Sequence, residues 1–155
     1  MDEQVDQQIL LKVRSCALPS GGRESTLRLL TREAAELMPP VEGDVDDIFD
    51  DAWEREQVEP TYIGMGLAVP HARKRGLRQA VVYMAFSQEG IPWPHEEANF
   101  VVLLVVPWEA PEMHLQLLSR LVRWRRRLTE AEAYALAESP DKLIVALDDA
   151  FLDLL

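Results

Sequence analysis

The residue types best suited to chemistry lie in one short segment, residues 60–73, with the sequence PTYIGMGLAVPHAR. Gly64 and Gly66 stand two residues apart, which is typical of a tight loop, and a short apolar run follows them. Pro70 fixes its own backbone angle and has no N–H to donate, so it should end that strand immediately before His71. The pattern therefore predicts an imidazole on a stiff backbone at a strand end, where open α/β sheets often bind ligands.

An imidazole in such a position has three common roles, as a metal ligand, a general base or a covalent nucleophile. A metal site needs several ligands at defined spacing, and with three histidines and one cysteine in the chain we predict none. A hydrolase needs a serine or cysteine in a sharp nucleophile turn, and neither Cys16 nor any serine has that context. These exclusions leave His71 itself as a nucleophile, beside the commoner alternative that it is an ordinary polar loop residue.

A histidine that accepts a phosphoryl group needs one neutral nitrogen facing the phosphorus, and positive groups or N–H donors near the transferred oxygens. The chain offers Arg55, and it offers His114 at a predicted helix start, where anions are favoured. It also offers a candidate phosphate-binding loop made of Gly64, Gly66 and Arg73. Taken alone, His114 fits a histidine packed in the core better than a functional one, because it lies one turn before two inward leucines.

Composition excludes several classes of function. The 155 residues fit one domain, or one domain with a short extension. A net charge of −11 argues against a nucleic-acid partner, since such binding needs a basic surface. The longest apolar run, residues 100–106, is too short to cross a bilayer, so we expect no direct membrane insertion. The single cysteine and the polar N-terminus indicate a cytoplasmic protein.

The periodicity of apolar residues predicts alternating helices and strands. Helical spacing begins after Ser25, which is a plausible N-cap, and recurs over residues 45–53. Residues 80–86 and 100–106 are apolar almost throughout, which is typical of strands buried on both faces. A helix opens near Pro111, and two shorter helices with serine or threonine caps follow it. Buried strands among several helices indicate an α/β layered fold.

The first 22 residues are read differently from the rest. Residues 9–14 have the composition of a strand, but a polar start and the sequence PSGG at residues 19–22 favour a loosely attached arm. Such an arm either packs on a sheet edge or leads in from a partner. We therefore predict an N-terminal arm or extension over residues 1–22 and one domain over residues 23–155.

Several motifs, in this order, resemble the enzyme IIA domains of the fructose/mannitol type in the bacterial sugar phosphotransferase system, a group that includes the nitrogen-regulatory branch. They are Arg55-Glu56, the segment 60–73 quoted above, Gly90-Ile91-Pro92-Trp93, the apolar strand ending at Val106-Pro107, and His114-Leu115-Gln116-Leu117-Leu118. The resemblance covers about residues 24–155. The family usually has Asn where this chain has Met65, so the loop lacks a polar side chain there.

The resemblance implies a single domain with a mixed β-sheet flanked by helices on both faces. It implies that His71 receives a phosphoryl group from a histidine-containing phosphocarrier protein and passes it to a IIB domain. His114 would be the second histidine of the pocket, and Arg55 the arginine that steadies the phosphoryl group. No cofactor is expected.

Two alternatives stay open at the level of the sequence. The chain can instead be a regulatory IIA-like module whose phosphorylation state modulates a transporter, a kinase or a transcription regulator. A small hydrolase that pairs His71 with an acid from residues 42–59 is the weaker alternative, because no nucleophile spacing supports it.

Overall fold

The computed structural model describes residues 9–15, 22–38, 45–94 and 96–151. The elements in these ranges are β1 (Ile9–Ser15), α1 (Gly22–Ala35), α2 (Val45–Val58), β2 (Tyr62–Gly64), β3 (Leu67–Ala68), β4 (His71–Lys74), β5 (Ala80–Trp93), β6 (Glu96–Pro107), α3 (Glu112–Arg127), α4 (Glu130–Leu136) and α5 (Pro140–Ala150). None of these helices is both long enough and apolar enough to span a membrane.

The six strands form one mixed sheet in the order β1-β5-β6-β3-β2, and β4 pairs with β6 as well. The central strands β5 and β6 form an antiparallel hairpin, whereas β3 and β4 both run parallel to β6. Residues 80–86 and 100–106 are buried throughout, as their unbroken apolar composition predicts.

Helices cover both faces of this sheet, which confirms the expected fold class. Alternate side chains of β5 point to opposite faces, because successive residues of a strand do so. Ala80, Val82, Met84 and Phe86 pack with α3, α4 and α5, and Val81, Tyr83 and Ala85 pack with α1 and α2. The two apolar layers fix the sheet between the helices, so the ends of its strands have defined positions.

Part of the segment predicted as an arm contributes an edge strand. Residues 9–15 form β1, which pairs in parallel with β5 from Ile9–Ala80 to Ser15–Phe86. The side chains of Ile9 and Val13 are buried in the core. The rest of residues 1–21 lies outside the described residues, and the division of the chain at residue 22 stays a prediction.

Two element boundaries differ from the prediction. Helix α1 begins at Gly22 instead of after Ser25, whose hydroxyl donates back to the Gly22 carbonyl from within the first turn. Strand β5 continues beyond the predicted residues 80–86 to Trp93. Pro92 is tolerated in the strand because it lies beside the turn of the hairpin, opposite Glu97, and beyond the part of β5 that pairs with β1. The threonine and serine caps predicted for the last two helices are confirmed as Thr129, in a capping box, and Ser139.

Candidate active site

A cavity of about 420 Å³ opens where β4 begins and α3 starts. Its lining combines two imidazoles and one guanidinium with an apolar floor and rim. The residues are Arg55, Val58, Glu59, Pro60, Thr61, Ile63, Val69, His71, His114 and Leu118. Val58 and Ile63 expose 82% and 39% of their surfaces, so the mouth of the cavity is apolar and accessible.

His71 is the first residue of β4, so it lies at the start of one strand as well as after the end of another. The short strand β3 ends at Ala68, and Pro70 interrupts the pairing because it has no N–H. The Pro70 carbonyl accepts a hydrogen bond from Leu104 N at 3.0 Å, so the chain rejoins the sheet directly before His71. Nδ1 of His71 is buried and has no hydrogen-bond partner among the described residues. The ring therefore reaches the cavity by its other edge, which carries Nε2.

His114 lies in the first turn of α3 and stacks on His71. The two ring centroids are 3.9 Å apart and the ring planes meet at 26°. Helix α3 buries Met113 and Leu117 beside His114, which fixes the angle at which the half-buried imidazole enters the cavity. His114 is thus neither an exposed surface residue nor a fully buried core residue.

Arg55 reaches the same cavity from the last turn of α2. Its Nε lies 3.1 Å from Oδ1 of Asp51, one helical turn earlier, and both side chains are about one-third exposed or less. The structure thus places the three candidate catalytic residues, His71, His114 and Arg55, around one cavity.

Both imidazoles favour the neutral form. The pKa of His71 is lowered from 6.5 to about 4, first by burial and then by the charges of His114 and Arg55, while Asp51 opposes the shift. The pKa of His114 is lowered as well, by burial and by the positive charges of Arg55 and Arg73. A neutral imidazole keeps a free lone pair, so the cavity at neutral pH presents nucleophilic nitrogen beside a fixed cation.

Arg73 lies two residues beyond His71 on β4, and its charge reaches both imidazoles. Its guanidinium carbon lies 4.8 Å from the centre of the Trp108 ring, and that of Arg75 lies 4.5 Å from the same centre. Two cations on one indole restrict the directions that each can take. Arg73 therefore contributes charge from the side of the cavity.

The structure does not bring Gly64 and Gly66 into the lining of the cavity. The N–H of Gly66 donates to the Tyr62 hydroxyl at 2.9 Å, and its carbonyl accepts from Asn99 N and Phe100 N. Gly66 has a φ of 74°, a conformation that favours glycine, and a Cβ there would lie 2.6 Å from the Asn99 side-chain oxygen, which would have to move. The two glycines therefore shape the turn between β2 and β3, whose Ile63 lies on the cavity rim.

The sequence alone assigned no role to Glu56. In the structure it stabilises the wall of the cavity that residues 58–61 form. Its fully buried carboxylate accepts hydrogen bonds from the Thr61 N–H at 2.8 Å, from the Thr61 hydroxyl and from Trp93 Nε1 at 3.3 Å. Arg23 lies 3.6 Å away and supplies the opposite charge. These contacts hold the link from α2 to β2, which lines the cavity. An acid in a predominantly acidic helix gave no signal of burial.

Metal chemistry finds no support at this site. Across the ranges that the structure describes, no group of three or more His, Cys, Asp or Glu side chains could hold a metal ion.

Comparisons with known proteins show the family to which the chain is similar. Residues 22–149 match the model of the family described as "Phosphoenolpyruvate-dependent sugar phosphotransferase system, EIIA 2". The 2-O-α-mannosyl-D-glycerate-specific EIIABC component of Escherichia coli is 34% identical over 135 residues, 82% of this chain, but the chain spans only 20% of that relative. The fructose-specific EIIA component of Haloferax volcanii is 31% identical over 79% of this chain and 84% of its own length.

Solved structures share the fold at lower sequence identity. The mannitol IIA of Escherichia coli superposes with a TM-score of 0.65 at 20% identity, over 91% of this chain and 96% of its own. The nitrogen regulatory protein IIA-Ntr of Neisseria meningitidis superposes with a TM-score of 0.59 at 21% identity, over 84% and 93%.

Proposed function

Because the chain belongs to the EIIA 2 family of the phosphoenolpyruvate-dependent sugar phosphotransferase system, we propose that it carries a phosphoryl group on His71. The donor in this proposal is a histidine-containing phosphocarrier protein. The acceptor is a IIB domain or a regulated protein. We also propose the cytoplasm as its location, since phosphoenolpyruvate is an intracellular metabolite.

The stack of two neutral imidazoles in an open cavity supports this function best. With Nδ1 of His71 buried, Nε2 is the nitrogen that a visiting phosphorus can reach. In the transfer, Nε2 forms the new N–P bond with its lone pair while the N–P bond to the donor histidine breaks. The donor imidazole leaves with the electron pair of that bond and keeps the proton on its other nitrogen, so it departs neutral, while the phosphorylated His71 ring keeps its own proton on Nδ1. The neutral state of His71 at pH 7 makes its lone pair available for this step.

Arg55 and His114 are suited to receive the transferred oxygens. Arg55 uses its Nε for Asp51, and its two terminal nitrogens have no hydrogen-bond partner among the described residues. They are therefore free to bind two phosphoryl oxygens, for which a planar guanidinium is well shaped. His114 supplies a further N–H donor within stacking distance of His71.

A protein partner is supported by the apolar mouth of the cavity. Val58, which lines the cavity, and Leu115, which follows His114 in α3, expose 82% and 66% of their surfaces. One similar structure is a complex of the mannitol IIA with phosphorylated IIB from Escherichia coli, with a TM-score of 0.64 at 19% identity. We propose that a IIB domain covers the same mouth here and accepts the phosphoryl group on a cysteine, as the family resemblance implies.

The relay can be tested by labelling. The wild-type protein is mixed with labelled phosphoenolpyruvate, enzyme I and the phosphocarrier protein, and we expect an acid-labile, base-stable adduct. His71→Ala should abolish the adduct, whereas Gln116→Ala, an exposed change on α3, should leave it intact. Failure of the wild-type protein to acquire label from its cognate carrier would refute the proposal. Adding a IIB domain should then move the label to that domain.

A regulatory role is the second candidate, because part of the chain is similar to a regulator. Sixty-seven residues are 36% identical to the transcriptional regulator ManR of Bacillus subtilis and cover 10% of that protein. In this role, phosphorylation of His71 would change the affinity for a regulated protein. A pull-down with wild-type protein and His71→Asp tests it, and a partner that binds both equally counts against regulation.

A further inference from the structure

We propose that Asp51 is a positioning residue that holds the guanidinium of Arg55 beside His71 for phosphoryl transfer. The inference rests on the function proposed above. It assigns to Asp51 no contact with the transferred group, because Asp51 does not line the cavity.

The two oxygens of Asp51 join two different elements. Oδ1 accepts a hydrogen bond from Arg55 Nε on the same helix, at 3.1 Å. Oδ2 accepts a hydrogen bond from the backbone N–H of Arg73 on β4, at 2.9 Å. Since β4 begins with His71, one carboxylate ties the arginine of α2 to the strand that carries the histidine.

The hydrogen bond to β4 satisfies a backbone group that the sheet leaves open. In a parallel pair, alternate residues bond to the neighbouring strand. The carbonyls of Pro70, just before β4, and of Lys74, its last residue, accept hydrogen bonds from Leu104 N and Trp108 N. The N–H of Arg73 faces the other side of β4, where no strand lies among the described residues. Asp51 accepts from this N–H, so its position relative to β4 is fixed by the sheet itself.

The hydrogen bond from Arg55 to Asp51 leaves the two terminal nitrogens of the guanidinium available. Asp51 binds the Nε edge, so both terminal nitrogens of Arg55 stay open towards the cavity. A long arginine side chain loses much rotamer freedom when it is held in one place. Asp51 holds it before any phosphoryl group arrives, which is the preorganisation that transfer needs.

A purely structural role for this face of α2 is the main alternative. Asp47 lies one turn before Asp51 and also reaches β4, at 3.7 Å from the Lys74 amino group. Both carboxylates could simply dock the helix on the strand. The two explanations differ in what Asp51→Asn should do. An asparagine oxygen can still accept from the Arg73 N–H, but it has no charge to hold Arg55.

A change in the protonation of His71 would not explain slower transfer by Asp51→Asn. Asp51 raises the pKa of His71, and Arg55 lowers it. Removal of the Asp51 charge therefore lowers that pKa further, and at pH 7 the imidazole stays neutral in both proteins. A slower transfer at pH 7 then reports the placement of Arg55 and not the protonation of the nucleophile.

The experiment is a double-mutant cycle on the rate of phosphoryl transfer from the phosphocarrier protein. We expect Asp51→Asn to slow transfer about tenfold in the wild-type background. In the Arg55→Gln background the same change should cost less than about twofold, because the group that Asp51 positions is already gone. Asp50→Asn, an exposed neighbour on the same helix, is the control and should transfer at the wild-type rate.

Three results would overturn the positioning role. Asp51→Asn transfers at the wild-type rate, or it is equally slow in both backgrounds, or the Arg55 Nε–H signal of the unmodified protein exchanges as in a free guanidinium in NMR spectra. The last measurement needs no variant, so it can overturn the positioning role even if Asp51→Asn fails to fold. An unlabelled wild-type protein would instead reject the relay, and the Nε–H signal would still report whether Asp51 holds Arg55.

Discussion

The Nε of Arg125 donates to the carbonyl oxygen of Met65 across 2.8 Å, although the two residues are 60 positions apart in the chain. Arg125 is 2% exposed and also binds the Leu128 carbonyl at 3.2 Å and the Glu130 carboxylate at 2.7 Å. One guanidinium therefore joins the turn between β2 and β3 to the junction of α3 and α4. Arg125 is therefore a buried structural residue and not a solvated charge on the helix surface.

Replacement of Met65 by asparagine should stabilise the protein. Met65 has a backbone φ of 55°, a left-handed conformation that asparagine and glycine adopt more easily than methionine. Its side chain is 42% exposed, so little packing is lost. We expect Met65→Asn to raise the free energy of unfolding by about 1 kcal/mol. Thermal unfolding measures this, and Met65→Ala is the control because alanine keeps the strain. Equal stability of the asparagine and alanine variants would contradict the prediction.

Removal of the buried Arg125 should destabilise the same turn. Arg125→Met leaves the carbonyls of Met65 and Leu128 without their donor, and each buried unpaired group is costly. We expect the free energy of unfolding, measured with urea, to fall by about 3 kcal/mol. Arg126→Met changes the exposed neighbour on the same helix and should cost less than about 0.5 kcal/mol. Similar losses in the two variants would mean that the hydrogen bonds of Arg125 are not the cause.

Glu56 is expected to be the most sensitive acid among the described residues. Glu56→Ala removes the acceptor for Thr61 and Trp93 and leaves Arg23 without its partner, so we expect a loss of about 3–5 kcal/mol. Glu54→Ala, an exposed acid on the same helix, serves as the matched change. The fluorescence of Trp93 should shift only in the Glu56 variant, because only that variant frees its indole N–H. Glu56→Ala as stable as Glu54→Ala would show that the buried contacts contribute little.

Much of the fold could be predicted from the sequence, because its main signals are local. The unbroken apolar runs of β5 and β6 predict strands buried on both faces, and the Thr129 and Ser139 caps mark helix starts by chemistry within four residues. The family resemblance is confirmed by the match over residues 22–149.

The features that the local sequence left open depend on pairings with distant residues. β1 is held by a parallel partner that starts 71 positions later, at Ala80, and no turn signal announces such a partner. His71 starts β4 because Leu104, on β6, bonds to Pro70, which its own segment does not reveal. The two glycines lie in a turn in which the N–H of Gly66 donates to the Tyr62 hydroxyl, and their part in binding phosphate stays a prediction.

His114 should matter for transfer and little for stability. Its imidazole is half-buried and stacks on His71. Among the described residues, its side chain makes no hydrogen bond to the core. We expect His114→Ala to slow phosphorylation of His71 by about tenfold to a hundredfold, the range found for one transition-state donor or proton-transfer group. The free energy of unfolding should fall by less than about 1 kcal/mol. A variant that unfolds but retains normal residual phosphorylation would identify His114 as a core histidine.

Acid should weaken the fold through the same pair of imidazoles. The pKa of His71 is about 4 in the folded protein and 6.5 when the residue is free, and that of His114 is lowered too. Between those two values the unfolded chain binds a proton that the folded chain lacks, so stability rises with pH. The stability linked to the neutral imidazole of His71 is fully present above pH 6.5, and it is lost as the pH falls from there towards 4.

Urea unfolding of wild-type protein and His71→Gln at pH 7 and pH 5 measures that loss. Glutamine does not titrate, so the variant should lose less stability than the wild-type protein between the two values. The carboxylates titrate alike in both proteins, and the difference between the two losses therefore isolates His71. Identical losses would mean that His71 has the same pKa folded and unfolded. The imidazole would then be well solvated, and the burial that keeps its nucleophilic nitrogen unprotonated in mild acid would be absent.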